Sequence, residues 1–474
     1  MELRYDHMAK NHPLLEASNQ LMIKEVPSYG NKFFYSLGFL SMISFLVLII
    51  TGVIMTFYGP TWWLTDGVGK YMRSVHLWAT QAFVLFVLLH LLVVFFTSGF
   101  KKPRRLTWML GVLMLFAVLA ETEFGYALRG DFSSQWRGLQ GADFYNGSGL
   151  GKLINPLNYG QIYGIHIIVV PLTIIGLLFL HYLLVRVLGI AKPYRQDVTV
   201  RTVPANHKVL FARGGILIGL ILALALALPS PYIRPTTIQN VAQQDPNLMG
   251  KTLVAEFTNS SDTATYLDNI DPYTYNTRSV YIDAPYARLL QTQNSTKDEL
   301  KVFNSEPASV QATQLKEATD YFDQDKPDAK QQPKSPVMTV VGSLTKMAQA
   351  GLYEPALASA QNKDGVSNNL TYVNRFLSDT GALEDQATDR GITTEQYGMT
   401  REETGRTPGA WWLTPIGLLN HTVLANDDNG DRDAAIIFGS LLLTMLAFPF
   451  IPYVNQIPDK LKVYKLIWRE KKTF

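Results

Sequence analysis

Six stretches of this chain stay apolar for about twenty residues or more, long enough for a helix rising ~1.5 Å per residue to cross a bilayer. They cover residues 33–58, 74–98, 106–128, 161–188, 209–228 and 434–453. Backbone N–H and C=O groups in lipid have to be satisfied within the segment, so each stretch is confined to a helix. Basic residues orient the set, because short loops rich in Lys and Arg stay cytoplasmic. Lys101, Lys102, Arg104 and Arg105 follow the second stretch; Lys192, Arg195, Arg201 and Lys208 follow the fourth; six lysines and arginines follow the last. These three regions share a side, which puts both termini in the cytoplasm and 229–432 outside. The polar residues 1–32 show no cleavable signal pattern. Within them, 13–26 reads either as an amphipathic helix on the membrane surface or as a plain tether.

Four of the eight histidines lie inside these apolar stretches, where polar side chains are costly and usually functional. His76 and His90 are 14 residues apart, and His166 and His181 are 15 apart. At about 100° per residue each pair falls broadly on one helix face, its members roughly 21 Å apart along the axis. Two such helices side by side make two His–His clamps, one near each membrane face. That is the arrangement that bis-imidazole ligation of haem iron requires. His7, His12, His207 and His421 lie outside the stretches and read as surface residues.

Packing a wide flat ring between helices calls for small residues where its edge meets a backbone. Gly38 and Gly52 in the first stretch are 14 apart, and so are Gly111 and Gly125 in the third. The glycine pairs repeat the histidine spacing on four successive helices.

The exterior segment differs in composition. Residues 229–432 carry 17 basic and 26 acidic side chains, while the rest of the chain carries 25 and 13. This segment is long enough for one or two small domains, and 323–335 reads as a flexible linker. The acidic balance suits a basic partner or a plain solvated surface. The run from Asn426 to Asp431 lacks the closing Glu of an EF-hand and reads as an acidic turn. Trp411 and Trp412 read as an interfacial anchor. Cysteine is absent, which excludes disulfides, Cys-ligated iron–sulfur clusters and a Cys-x-x-Cys-His c-type haem. No nucleotide-binding loop or catalytic triad is recognisable, and nothing points to nucleic acid.

Over roughly residues 30–195 the chain resembles the cytochrome b family of quinol-oxidising bc- and bf-type complexes. The likeness is greatest to the short plastid-type form, which shares the 15-residue step between His166 and His181. Arg73-Ser-Val-His76, Gly99-Phe-Lys-Lys-Pro-Arg104 and Leu106-Thr-Trp108 also look like that family's second helix and the loop after it. The resemblance implies that His76 and His166 ligate an outer b haem and His90 and His181 an inner one. It also implies that Arg73 binds a propionate and that Arg186 is a basic residue near the inner haem. Interfacial snorkelling is the other reading of both arginines.

The chain departs from the family in three places. Ser36 stands where the plastid-type protein has a cysteine that attaches an extra haem, so no covalent haem forms. The loop motif Gly-Tyr-x-Leu-Pro-Trp becomes Gly125-Tyr-Ala-Leu-Arg129-Gly130, which alters a wall of the outer quinol site. The Pro-Glu-Trp-Tyr motif that supplies a proton-accepting carboxylate is missing. Glu121, four residues before Gly125, is the internal candidate for that role; pairing at the outer interface, with Arg129 as partner, is its other reading.

The resulting expectation is an all-α membrane protein with a four-helix haem-binding bundle, two further transmembrane helices and a soluble exterior insertion. Its parts are 1–32, a cytoplasmic or interfacial segment; 33–195, the dihaem domain; 208–229, a fifth helix; 230–432, an acidic exterior domain; 433–455, a sixth helix; and 456–474, a basic cytoplasmic tail. The implied function is that of the dihaem cytochrome b subunit of a respiratory quinol-oxidising complex, moving electrons across the membrane between two non-covalent b haems. Its substrate would be quinol, its location a bacterial-type cytoplasmic membrane, and its state a dimeric multi-subunit complex with Rieske or c-type cytochrome subunits. The alternatives are a haem b membrane anchor of another quinone-linked dehydrogenase or reductase, and a non-enzymatic membrane scaffold.

Overall fold

The computed structural model describes residues 23–147, 149–191, 201–265, 276–293, 297–324, 327–358, 369–392, 408–427 and 430–468. The stretch 13–26 therefore lies mostly outside the described residues, as do His7 and His12 and part of the acidic turn 426–431. The chain divides into two units: Met1–Thr122, Ile167–Ser230 and Ile436–Phe474 form the first, and Glu123–His166 with Pro231–Ala435 the second.

Among the described residues, six helices are long and apolar enough to cross a membrane. They are α1 (Leu37–Thr65), α2 (Gly67–Phe96), α3 (Arg105–Ala127), the helix Tyr159–Leu188, the helix His207–Ala227, and Gly430–Ala447 with a 3₁₀ turn after it. Each matches one of the six apolar stretches to within a few residues, apart from α1 and α2, which run further toward each other. Asp66 is the reason, since its carboxylate accepts from the Val68 and Gly69 N–H groups and starts α2 directly after α1. Gly59 (φ 77°) and Pro60 put a kink before that turn. Large apolar side chains point outward along the spans, with Phe57, Val187 and Leu226 each at least 73% exposed. Such a surface is stable only against lipid or another apolar partner.

Inside the first unit, α1, α2 and the helix His207–Ala227 share a core of Leu40, Val75, Ala79, Leu217, Ile221 and Ala225. The last span is tied to α3 by Trp108, whose indole N–H donates to the Met445 carbonyl at 2.7 Å beside Phe100, Val112 and Phe448. The only strands among the described residues are Glu25–Pro27 and Thr202–Pro204, paired antiparallel with Val26 opposite Val203.

The later segment of the second unit, Pro231–Ala435, is helical as well among the described residues. Its helices are short and well capped: Thr237, Asp245, Asp298 and Ser335 each accept a backbone N–H at a helix start. They enclose a core that includes Leu253, Phe257, Tyr281, Val340, Leu344, Tyr353 and Phe376. Each such side chain contributes about 1.5–3 kcal/mol of transfer free energy. Phe132, Trp136, Leu139 and Ala142, from the helix Phe132–Gly147 that follows α3, belong to the same core. Residues 123–166 therefore pack with the later segment, because the apolar face of that connecting helix is buried there.

Glu256 and Asp379 form a buried carboxyl pair in this unit. Glu256 is fully buried and accepts from Ser261 Oγ at 2.9 Å, and Asp379 accepts from Thr263 N at 2.9 Å. The two carboxyls are near neighbours, and Glu256 Oε1 and Asp379 Oδ2 each meet no donor among the described residues. Two facing acceptors need a proton between them. Burial and the neighbouring Asp379 push Glu256 well above the carboxylate range, and burial pushes Asp379 up, with Arg375 opposing. A raised folded-state pKa gives stability that is complete below the unfolded value and fades as pH climbs through the folded one. Glu256→Gln supplies a permanent donor, so the unit should gain about 1 kcal/mol at neutral pH and lose the decline above pH ~4.3. Amide hydrogen exchange of 246–258 in the full chain at acid and neutral pH checks this; a parallel decline in the variant contradicts it.

Candidate haem-binding site

The four sequence glycines each meet one of the four histidines. A Cβ built on Gly38 of α1 would lie 3.2 Å from His90 Cε1 of α2, and one on Gly52 would lie 3.5 Å from His76 Cε1. The helices are antiparallel, so fourteen residues along each lead from one contact to the next. On Gly111 of α3 a Cβ would lie 3.5 Å from His181 Cε1, again inside the first unit. On Gly125, in the second unit, it would lie 2.9 Å from His166 Cε1. Here the steps are 14 on α3 and 15 on its partner. The additional residue falls where the helix holds a π turn, Ile165–Val169, with His166 in it.

Two of the imidazoles are oriented by hydrogen bonds at Nδ1. His181 Nδ1 is 3.0 Å from the Thr107 carbonyl, an acceptor only, so Nδ1 carries the proton. His76 Nδ1 is 2.8 Å from Thr51 Oγ1. The Thr51 hydroxyl lies 2.8 Å from the Val47 carbonyl, to which it donates, which leaves it the acceptor toward His76. In both rings Nε2 keeps its lone pair, the state an iron ligand needs. Neither partner was singled out from the sequence. Thr51 carries a readable signal, a hydroxyl directly before a glycine in the histidine register; the Thr107 carbonyl carries none.

Arg73 is buried one turn before His76 and donates to Ser230, from Nε to Oγ and from Nη2 to the carbonyl, both at 3.3 Å. Arg186 is half-buried in the last turn of Tyr159–Leu188, five residues after His181. Glu121 is half-buried in α3. Glu123 lies in the field of Arg137 and Tyr145, both on Phe132–Gly147. Arg129, which replaces the proline of the family motif, pairs with buried Asp131 at 2.7 Å and donates to the Pro231 carbonyl at 3.0 Å. Its neighbour Gly130 has φ 71°, a backbone state that the motif's tryptophan would adopt only with strain. The Arg-Gly substitution thus builds an ion pair into the second unit at the start of its connecting helix.

The donor set and the glycine-lined backbones fit b haem: neutral imidazoles are its usual axial ligands, and side chains at these glycines would fill the space beside them. Comparison with known proteins agrees. The family described as Cytochrome b(N-terminal)/b6/petB matches residues 81–246. Cytochrome b6 of Heliobacterium modesticaldum is 34% identical over 190 residues, covering 35% of this chain and 89% of that protein. Cytochrome b6 of Prochlorococcus marinus is 31% identical over 211 residues, covering 40% of this chain and 96% of that protein. A solved structure titled "Hyperthermophilic respiratory Complex III" overlaps 73% of this chain and 96% of its own at 16% identity and a TM-score of 0.39, too loosely to place individual elements. With cytochromes b6 covered almost end to end at over 30% identity, the chain belongs to the cytochrome b/b6 family.

Proposed function

We propose that the chain is the dihaem cytochrome b subunit of a membrane complex that oxidises quinol. Membership of the family implies non-covalent b haem, which supplies one-electron redox chemistry when bound. In this reading His90 and His181 hold the inner haem, and His76 and His166 the outer one. Gly38, Gly52, Gly111 and Gly125 leave room for the ring edges, Arg73 neutralises a propionate, and Arg186 places positive charge at the inner end. Glu121 takes a proton from quinol at the outer end. The single observation carrying the proposal is that every glycine of the fourteen-residue pairs stands against a histidine imidazole. The complex is completed by a Rieske or c-type cytochrome subunit, draws on the membrane quinone pool, and keeps both termini of this chain in the cytoplasm.

One observation favours a second reading, in which the chain anchors another quinone-linked dehydrogenase or reductase. Arg129 and Gly130 stand where the family motif has Pro-Trp, and Arg129 is tied to Asp131 and Pro231 instead of being left to wall a quinol site. Redox titration of the purified complex separates the possibilities. Two b-type components, both reduced on adding quinol, with a co-purifying Rieske or c-type subunit, are the expected result. A molybdenum or flavin subunit in their place supports the anchor, and a single b component overturns the dihaem assignment.

A further inference from the structure

A cavity of about 440 Å³ opens in the first unit between the loop joining α2 to α3 and the chain beyond the last span. Lys101, Lys102 and Arg105 line one side, and Lys460 and Lys462 the other, with Asp459 the sole carboxylate among the lining residues. That carboxylate is already engaged, by Lys101 and by Ser98 Oγ at 2.7 Å. The remaining cations face a cavity with no second carboxylate in its lining. Arg105 opens the 23-residue helix α3, so the positive end of that helix adds to the field. Its guanidinium sits 4.8 Å from the centre of the Phe450 ring, and its buried Nε meets no acceptor among the described residues.

The place of the cavity narrows the anion that fits. Phe450 ends the last apolar span, and Arg105 begins the third, so the cations stand at the level where the spans leave the hydrocarbon. Leu106, Phe450, Tyr453 and Leu461 are exposed beside them. A basic cavity rimmed by exposed apolar side chains suits a molecule that is anionic at one end and hydrocarbon at the other. We propose that this cavity binds the phosphate headgroup of an anionic phospholipid, whose acyl chains lie along the exposed apolar rim. The loop lysines and those of the C-terminal segment, more than 350 residues apart in sequence, would then be bridged by one lipid.

The test uses the full-length protein in its native complex, delipidated in neutral detergent and titrated with phosphatidylcholine vesicles containing or lacking phosphatidylglycerol. Saturable binding to phosphatidylglycerol alone is expected. Lys102→Gln, Lys460→Gln and Lys462→Gln combined should weaken it on the order of a hundredfold, from about a factor of five per lysine near a membrane surface. Lys208→Gln, a control outside the cavity, should leave it within about twofold. Equal binding to both vesicles, an unchanged triple variant, or an equal loss in the control overturns the proposal. Competition by inorganic phosphate as effective as that by the lipid also overturns it, by making the ligand a soluble anion. Haem spectra of each variant confirm that the protein is folded.

Discussion

In the dihaem reading, His90→Ala should remove one b haem from the purified protein and leave the other in place. The imidazole of His90 lies against Gly38 within the first unit, while His76, fourteen residues earlier, lies against Gly52. At ~1.5 Å per residue the two positions are roughly 21 Å apart, further than one ring reaches. Alanine therefore opens one clamp only. Haem quantified against protein should fall by about half, and a redox titration should show one remaining b component with bis-histidine character. Full dihaem content in the variant would remove His90 from the ligand set. Loss of both haems with the helical signal intact would show that the clamps are not independent.

The second large effect is expected at Glu121. Quinol oxidation releases protons, and the family's Pro-Glu-Trp-Tyr motif is missing from this sequence. Glu121 is a half-buried carboxylate one turn before Gly125. Glu121→Gln preserves shape and removes the basic oxygen, so both haems should remain while quinol-dependent haem reduction slows by a factor on the order of 10²–10⁴. Two residues further on, Glu123 points about 200° away around the helix and lies in the field of Arg137. Its glutamine variant should change the rate far less. Stopped-flow reduction of the intact complex across pH is the measurement, and a wild-type rate in Glu121→Gln assigns proton acceptance to another subunit.

What the sequence revealed and what it concealed divide along physical lines. Lipid admits so few backbone states that apolar run length alone located six helices. The histidines were legible because a polar side chain that costs energy at membrane depth stands out there, and the glycines because they repeat the histidine spacing. Within the polar segment between the last two spans nothing of that kind operates. Its helices are mostly 7–15 residues long, and their amphipathic pattern resembles that of many polar loops. Residues 132–147 contain no long apolar run, yet Phe132, Trp136 and Leu139 give that helix one buried face. Glu256 and Asp379 are 123 residues apart in sequence, and only the fold brings them together. Thr51 was visible as a residue, but its role depends on the rotamer that sends its hydroxyl proton to Val47.

The π turn at Ile165–Val169 carries an evolutionary consequence. A single-residue insertion in a regular helix would swing everything beyond it by about 100° and turn a ligand out of its clamp. Widening one turn by a residue confines the insertion to that turn and leaves the phase beyond it nearly unchanged. The 15-residue histidine step can thus match the 14-residue glycine step on α3, with the additional residue taken up inside one turn. His166 sits inside that turn, so a residue gained or lost there would leave the helical phase after the turn nearly unchanged.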